Sequence, residues 1–359
     1  MPKPLLHNSF CAQLDIKWPL IQAPMGGGPT TPALVAAVSN AGGLGSLGVA
    51  YLTPQSIEQT IKETQRLTQH PFSVNLFAPA NTPILNQEAI DAACDATRGY
   101  RQELDLLEPS LQAPFAENFE EQFTSVLRCR PAALSYTFGL INKELLQECH
   151  QQKIFTMGTA TTVEEGLTLQ EYGVDAVIAQ GAEAGGHRGT FTPEQHDSLI
   201  GTFALTRLLS QSLKIPVIAS GGIMDGHGIV AALTLGAQAA QLGTAFLLCD
   251  EAGTSAAYRD ALNHAQDKDT RLTRAFSGRW ARGIPNRFML EMEDSPILPF
   301  PAQNVFTRDI RKKAADLGKA EYLSLWAGQG VNLIRRMDAS QLVHTLYQEA
   351  LDALPAPSK

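Results

Sequence analysis

Ala176-Val177-Ile178-Ala179-Gln180-Gly181-Ala182-Glu183-Ala184-Gly185-Gly186-His187-Arg188-Gly189 is an apolar run that ends in glycines around a single imidazole. A short apolar run bounded by glycine reads as a buried strand. Behind it, a flexible glycine loop brings main chain close to a ligand and tolerates positive φ. Histidine is the side chain that exchanges a proton near neutral pH without help. Strand, glycine turn and histidine together predict a catalytic mouth on an α/β scaffold.

The same unit recurs along the chain. Short apolar runs alternate with helical segments, the signature of βα units and a parallel sheet. Strands are expected at Leu20–Ala23, Leu44–Leu47, Ser73–Phe77, Ala133–Tyr136, Lys153–Thr156, Ala176–Ala179, Pro216–Ser220 and Ala239–Leu242. Eight is the number that closes a TIM (β/α)8 barrel. Thr53-Pro54 and Thr162-Val163-Glu164-Glu165 supply helix starts, through an N-cap with proline at the first helical position and through acids in the first turn. The rival is an open doubly wound sheet. Its G-x-G-x-x-G turn is absent, because Met25-Gly26-Gly27-Gly28-Pro29 does not match it.

Two stretches break the rhythm. Residues 79–131 are long for one crossover and are expected to add helices to the third unit. Residues 250–312 lack strand signals apart from a Pro-rich patch at 296–301, and read as a small, mainly helical inserted lobe. The barrel is then expected to comprise 1–249 and 313–359, with a frayed tail from Leu354 to Lys359.

At 359 residues the chain is long enough to bury about three-quarters of its unfolded surface. It is 44% hydrophobic and 18% charged, a compact globular composition. A net charge of −8 argues against a nucleic-acid backbone as partner. The basic clusters Arg308 to Lys313 and Arg335-Arg336 read as solvated helix faces. The five cysteines form no C-x-x-C pair, and the histidines have no metal-ligand spacing, so no metal site is expected. The opening residues have no apolar signal core, and no run is long enough for a membrane span. The expectation is a soluble cytoplasmic protein with neither membrane nor nucleic acid as partner.

Glycine clusters fall mostly at strand ends. Ser220-Gly221-Gly222 closes the seventh expected strand, and Gln241-Leu242-Gly243-Thr244 the eighth. Loops seven and eight of such barrels recurrently bind phosphate through free N–H groups and a helix dipole. Thr244 adds a hydroxyl donor. Asn75 and Gln180 each donate and accept hydrogen bonds, which suits the edge of an isoalloxazine ring, and Pro24-Met25-Gly26 can lay main chain against its face. Together these favour flavin mononucleotide (FMN) over a sugar phosphate. The alternative for each glycine is a tight turn, and for each amide a structural cap.

Gln22 to Gly45, Ser135 to Gly139, Gly158 to Glu165 and Gln180 to Gly189 resemble the nitronate monooxygenases of class I, formerly called 2-nitropropane dioxygenases. Leu325-Trp326-Ala327-Gly328-Gln329-Gly330 is similar to that family too. The resemblance implies a TIM barrel with non-covalent FMN that oxidises alkyl nitronates with O2 to nitrite and a carbonyl compound. By motif position it maps FMN contacts onto Met25, Asn75, Gln180, Gly185, Gly222 and Gln241 to Thr244, and the catalytic histidine onto His187. Residues 101–135 lack the tyrosine expected of a family pocket, while Tyr258 and Lys312 or Lys313 match a further tyrosine and a lysine.

A nitronate is a carbanion equivalent, so flavin does the redox work and the protein supplies position and electrostatics. Neither a metal nor a pyridine nucleotide is expected to be required. His187 is the expected base for neutral nitroalkanes; its alternative is a loop cap. Glu183 and Arg188 are expected to form a local ion pair, His227 to start a surface helix, and Trp18, Trp280 and Trp326 to pack in the core or lobe. The rival functions are an FMN-dependent NAD(P)H:quinone or enoyl reductase, a flavin-free sugar-phosphate isomerase or aldolase, and a non-catalytic binding protein.

Overall fold

A computed structural model describes residues 3–191 and 199–354. Pro355 to Lys359, in the tail expected to fray from Leu354, and His196, one of the histidines without metal-ligand spacing, lie outside the described residues. Eight parallel strands form the barrel: β1 (Leu20–Gln22), β2 (Gly45–Gly48), β3 (Phe72–Phe77), β4 (Ala133–Thr137), β5 (Phe155–Ala160), β6 (Ala176–Gln180), β8 (Val217–Ser220) and β9 (Ala239–Leu242). Their order is β1-β9-β8-β6-β5-β4-β3-β2. Parallel bridging of Ile21 to Leu44 closes the ring, with Gln22 N–H donating to Leu44 O at 3.0 Å. The TIM barrel expected from the sequence is the observed architecture.

β5 lies further along the chain than its expected span of Lys153–Thr156. Gly158, inside the observed strand, is a close-packing point: a Cβ there would lie 2.4 Å from Leu169 of the following helix. Thr53 and Thr162 cap their helices by accepting from Ser56 N–H and Glu165 N–H. The third unit carries the extra helices, Gln87–Glu103 and Phe119–Cys129.

One end of the barrel is plugged. Phe10 and Leu14, from the helix Ser9–Leu14, join Ala133, Ala176, Ile218 and Ala239 in one buried cluster. These strand residues lie at or near strand beginnings, so the opposite, carboxyl-terminal end is left for a site. There the register sets Gln180 beside Ser220 and Ser220 beside Gln241, while Asn75 pairs with Ser135.

Residues 250–312 hold the helices Ala256–His264, Arg287–Glu291 and Ala302–Phe306. They also hold two short strands that the sequence did not signal, β10 (Arg271–Thr273) and β11 (Ala281–Gly283). Both strands pair antiparallel with β7 (Gly186–His187) or with each other, giving the order β10-β11-β7. A three-residue strand carries too little alternation to be read from sequence. Its consequence is local: the glycine loop after β6 is held in a sheet rather than left flexible.

Candidate active site

His187 enters the site through that small sheet. It stands opposite Ala281, and Arg188 N–H donates to Trp280 O at 2.8 Å. The loop behind it is stapled twice. Gln180 Nε2 donates to His187 O at 3.0 Å, and Gln180 Oε1 accepts from Gly189 N–H at 2.7 Å. Arg188, which is buried, donates to the carbonyls of Gln180 and Gly181. The expected Glu183–Arg188 ion pair does not form. Glu183 instead accepts from Thr202 N–H and Oγ1 at the start of the helix Thr202–Ser212. A carboxylate at a helix N-terminus gains more from that dipole than from a cation already satisfied by carbonyls.

The imidazole of His187 faces a cavity of about 670 Å³ at the open end of the barrel. Its Nε2 lies 2.8 Å from Ser277 Oγ, which in turn donates to Arg279 O at 3.1 Å. Aromatic rings surround it: Trp326 at 5.5 Å, Phe138 at 5.9 Å and Phe300 at 6.1 Å between centroids. Phe138 sits at φ +78°, a costly conformation for a bulky residue, and the Arg279 guanidinium lies 3.9 Å above its ring. Burial, then the charges of Arg279 and Arg311, lower the His187 pKa to about 3. The ring is therefore neutral at physiological pH.

Thirteen residues were singled out from sequence as site or cofactor residues. The cavity is lined by Pro24, Met25, Gly26, Asn75, Gln180, Gly185, Gly221, Gly222, Gln241, Gly243, Thr244 and His187. Leu242 does not line it. Alternation along β9 turns its side chain into the apolar cluster with Leu20 and Leu34, and only its main chain serves the loop. Tyr258 and Lys312 also line the cavity, whereas Lys313 does not. His227 is an exposed residue at a helix start.

One wall is built for close approach. Gly221 and Gly222 have φ of +122° and +70°, which side-chain-bearing residues rarely adopt. The segment Leu325 to Gly330 crosses against this wall. Gly328 N–H donates to Thr244 Oγ1 at 2.9 Å, and a Cβ on Gly185 would fall 2.6 Å from Gly328 N. Glycine turns on adjacent units, beside a hydroxyl, can receive a phosphate. Asn75 donates to Ser135 Oγ at 3.0 Å and Gln241 to Ser220 Oγ at 3.4 Å, and both residues line the cavity. A cavity of this size falls in the range of about 300–1,000 Å³ that cofactor pockets occupy. These features fit a flavin nucleotide. Among the described residues, no group of three or more His, Cys, Asp or Glu side chains is placed to hold a metal.

Another part of the lining overturns an expectation. Arg308, Arg311 and Lys312 line the cavity together with Ala315 of the same helix, Arg308–Leu317. Their spacing of i, i+3, i+4 and i+7 is one helical face, and Ile310 and Ala314 bury the other. The stripe was read as a solvated face because sequence does not say what a polar face looks upon. Arg311 donates to Asn304 O at 2.6 Å and Oδ1 at 2.9 Å, and burial lowers its pKa to about 10, still protonated at neutral pH. No acidic side chain lines the cavity among the described residues.

Tyr51, Phe138, Ser277, Arg311 and Trp326 were not singled out as site residues. Phe138 and Trp326 lie within segments that carried the family resemblance, which was a usable signal. Trp326 was instead assigned to packing, and Ser277 offered no signal at all.

The nitronate monooxygenase family model matches residues 8–349. A probable nitronate monooxygenase of Staphylococcus haemolyticus is 41% identical over 96% of this chain and 97% of its own length. The solved nitroalkane oxidase of Streptomyces ansochromogenes superposes with a TM-score of 0.89 at 37% identity, covering 96% of this chain and 99% of that one. FabK from Thermotoga maritima superposes with a TM-score of 0.73 at 27% identity, covering 95% of both chains. The chain belongs to the nitronate monooxygenase family and is an oxidoreductase.

Proposed function

We propose that the chain oxidises alkyl nitronates of the propionate 3-nitronate type with O2, using FMN, and releases nitrite and a carbonyl compound. The observation that carries this reading is a neutral, hydrogen-bonded His187 in a cavity whose lining is cationic at Arg308, Arg311 and Lys312 and, among the described residues, holds no acid. An anionic substrate gains from such a lining, and a carboxylate-bearing nitronate gains twice. FMN supplies the electron acceptance that a nitronate carbon needs. Gly221, Gly222, Gly243 and Thr244 would hold its phosphate. Pro24, Met25, Gly26, Asn75, Gln180, Gly185 and Gln241 would surround its ring, with Leu242 contributing main chain only.

His187 serves as the proton acceptor when the substrate arrives as a neutral nitroalkane. Positive surroundings make its imidazole a weak base, and the same cations stabilise the nitronate that forms. Preformed nitronates need no such transfer and are therefore the better substrates. Ser277 holds the ring, and the aromatic residues around it keep water from the reacting carbon.

Residues 1–249 and 313–359 are read as the FMN barrel and 250–312 as the inserted lobe. No described helix is long and apolar enough to cross a membrane, and a cytoplasmic location is part of the proposal. The rival NAD(P)H-dependent reductase shares barrel and loops. Nitrite release from a small nitronate, measured against NAD(P)H consumption, separates the two. Nitrite without pyridine nucleotide supports this reading; NAD(P)H consumption without nitrite overturns it.

A further inference from the structure

Tyr51 follows β2 and lines the same cavity. Its ring is fixed. Phe77 meets it edge-on at 5.2 Å and 84°, and Gly26 lies close enough that a Cβ there would sit 3.4 Å from it. Its hydroxyl makes no hydrogen bond to any described residue. In this it differs from Tyr258, which donates to Trp326 O, and from Tyr322, which donates to Glu103. Burial raises the Tyr51 pKa to about 12 against the charges of Arg311, Arg308 and Arg279, so the phenol keeps its proton. Arg311, aligned by Asn304, lines the same region and carries its charge toward both Tyr51 and His187. An immobilised neutral donor beside oriented guanidinium groups is a receptor for an oxyanion.

We propose that Tyr51 is a substrate-binding residue, its hydroxyl donating a hydrogen bond to an anionic oxygen of the substrate beside Arg311. The proposal rests on the functional reading given above. That oxygen belongs either to the nitronate group or to a carboxylate at the substrate's other end, and the two are chemically equivalent to the phenol.

The test is Tyr51→Phe in the holoenzyme, which removes one oxygen and leaves the ring packing intact. Melting temperature and far-ultraviolet dichroism should match the wild type. KM for propionate 3-nitronate should rise about 10-fold or more while kcat stays within about 2-fold, the pattern of a lost charge-assisted contact. Ethyl nitronate, which lacks a carboxylate, locates the oxygen. A KM rise on both substrates assigns it to the nitronate group, and a rise on propionate 3-nitronate alone assigns it to the carboxylate; either supports the proposal. Calorimetry of 3-nitropropionate binding, comparing His187→Asn with the His187→Asn, Tyr51→Phe double variant, should show a similar loss without turnover. Unchanged KM and Kd, or an effect confined to kcat, overturns the role of Tyr51. Absence of nitrite from either nitronate with the wild-type enzyme would instead overturn the functional reading.

Discussion

Lowering the pH probes the surroundings of His187 directly. An ordinary imidazole titrates near ~6.5 and would be only about 3% neutral at pH 5. With a pKa of about 3, the imidazole of His187 is instead about 99% neutral at pH 5. If the base were ordinary, kcat/KM for a neutral nitroalkane would fall about 30-fold between pH 8 and pH 5, because that parameter follows the free enzyme's ionisation. The surroundings described here require a change below about 2-fold. Initial rates of nitrite release from nitroethane across this range make the measurement. Burial is the first cause of the shift and the charges of Arg279 and Arg311 the next, so Arg311→Met should bring an acid limb up toward neutrality. A wild-type limb with its midpoint between about pH 6 and 7 would refute the reasoning.

Three further outcomes follow from the same geometry. His187→Asn should lose activity on nitroalkanes and keep much of its activity on nitronates, measured as nitrite release from each; equal collapse on both would make His187 a positioning or structural residue. The unfolded chain takes up a proton at His187 near pH ~6.5 that the folded chain refuses until about 3. The stability tied to this group is therefore complete above ~6.5 and is lost as pH falls below it; urea titrations at pH 7 and pH 5 should show a smaller loss for His187→Asn than for the wild type. Gly221→Ala places a Cβ 2.7 Å from Thr202 Oγ1 at φ +122°, costing about 1–2 kcal/mol in backbone strain; flavin content by absorbance should fall at least about 10-fold, and wild-type content would contradict the cradle.

The barrel was legible because its strands are buried on both faces, which leaves continuous apolar runs ending in glycine. β5 was misplaced where helix–strand contact at Gly158, not turn chemistry, fixed the residue. The His187 loop and the glycine pairs were legible because each lies within one βα unit. Ser277 and Arg311 were not, because they reach the cavity through packing between segments far apart in sequence; Tyr51, in the loop after β2, and Trp326, in a segment that carried the resemblance, had local signals that were passed over. The stripe Arg308, Arg311, Lys312 is the instructive case. Its periodicity was readable, but periodicity reports only that a face is polar, and the Arg101–Asp309 pair that anchors this helix joins residues 208 positions apart.

The central claim is that this cavity brings a flavin, an anionic nitronate and His187 together. Air-saturated purified protein mixed with propionate 3-nitronate tests it most directly, with the visible spectrum recorded before mixing and nitrite measured after. A yellow protein that releases nitrite with no pyridine nucleotide added is the predicted result. A colourless protein that cannot be reconstituted with FMN, or a yellow one that releases no nitrite, would contradict the account.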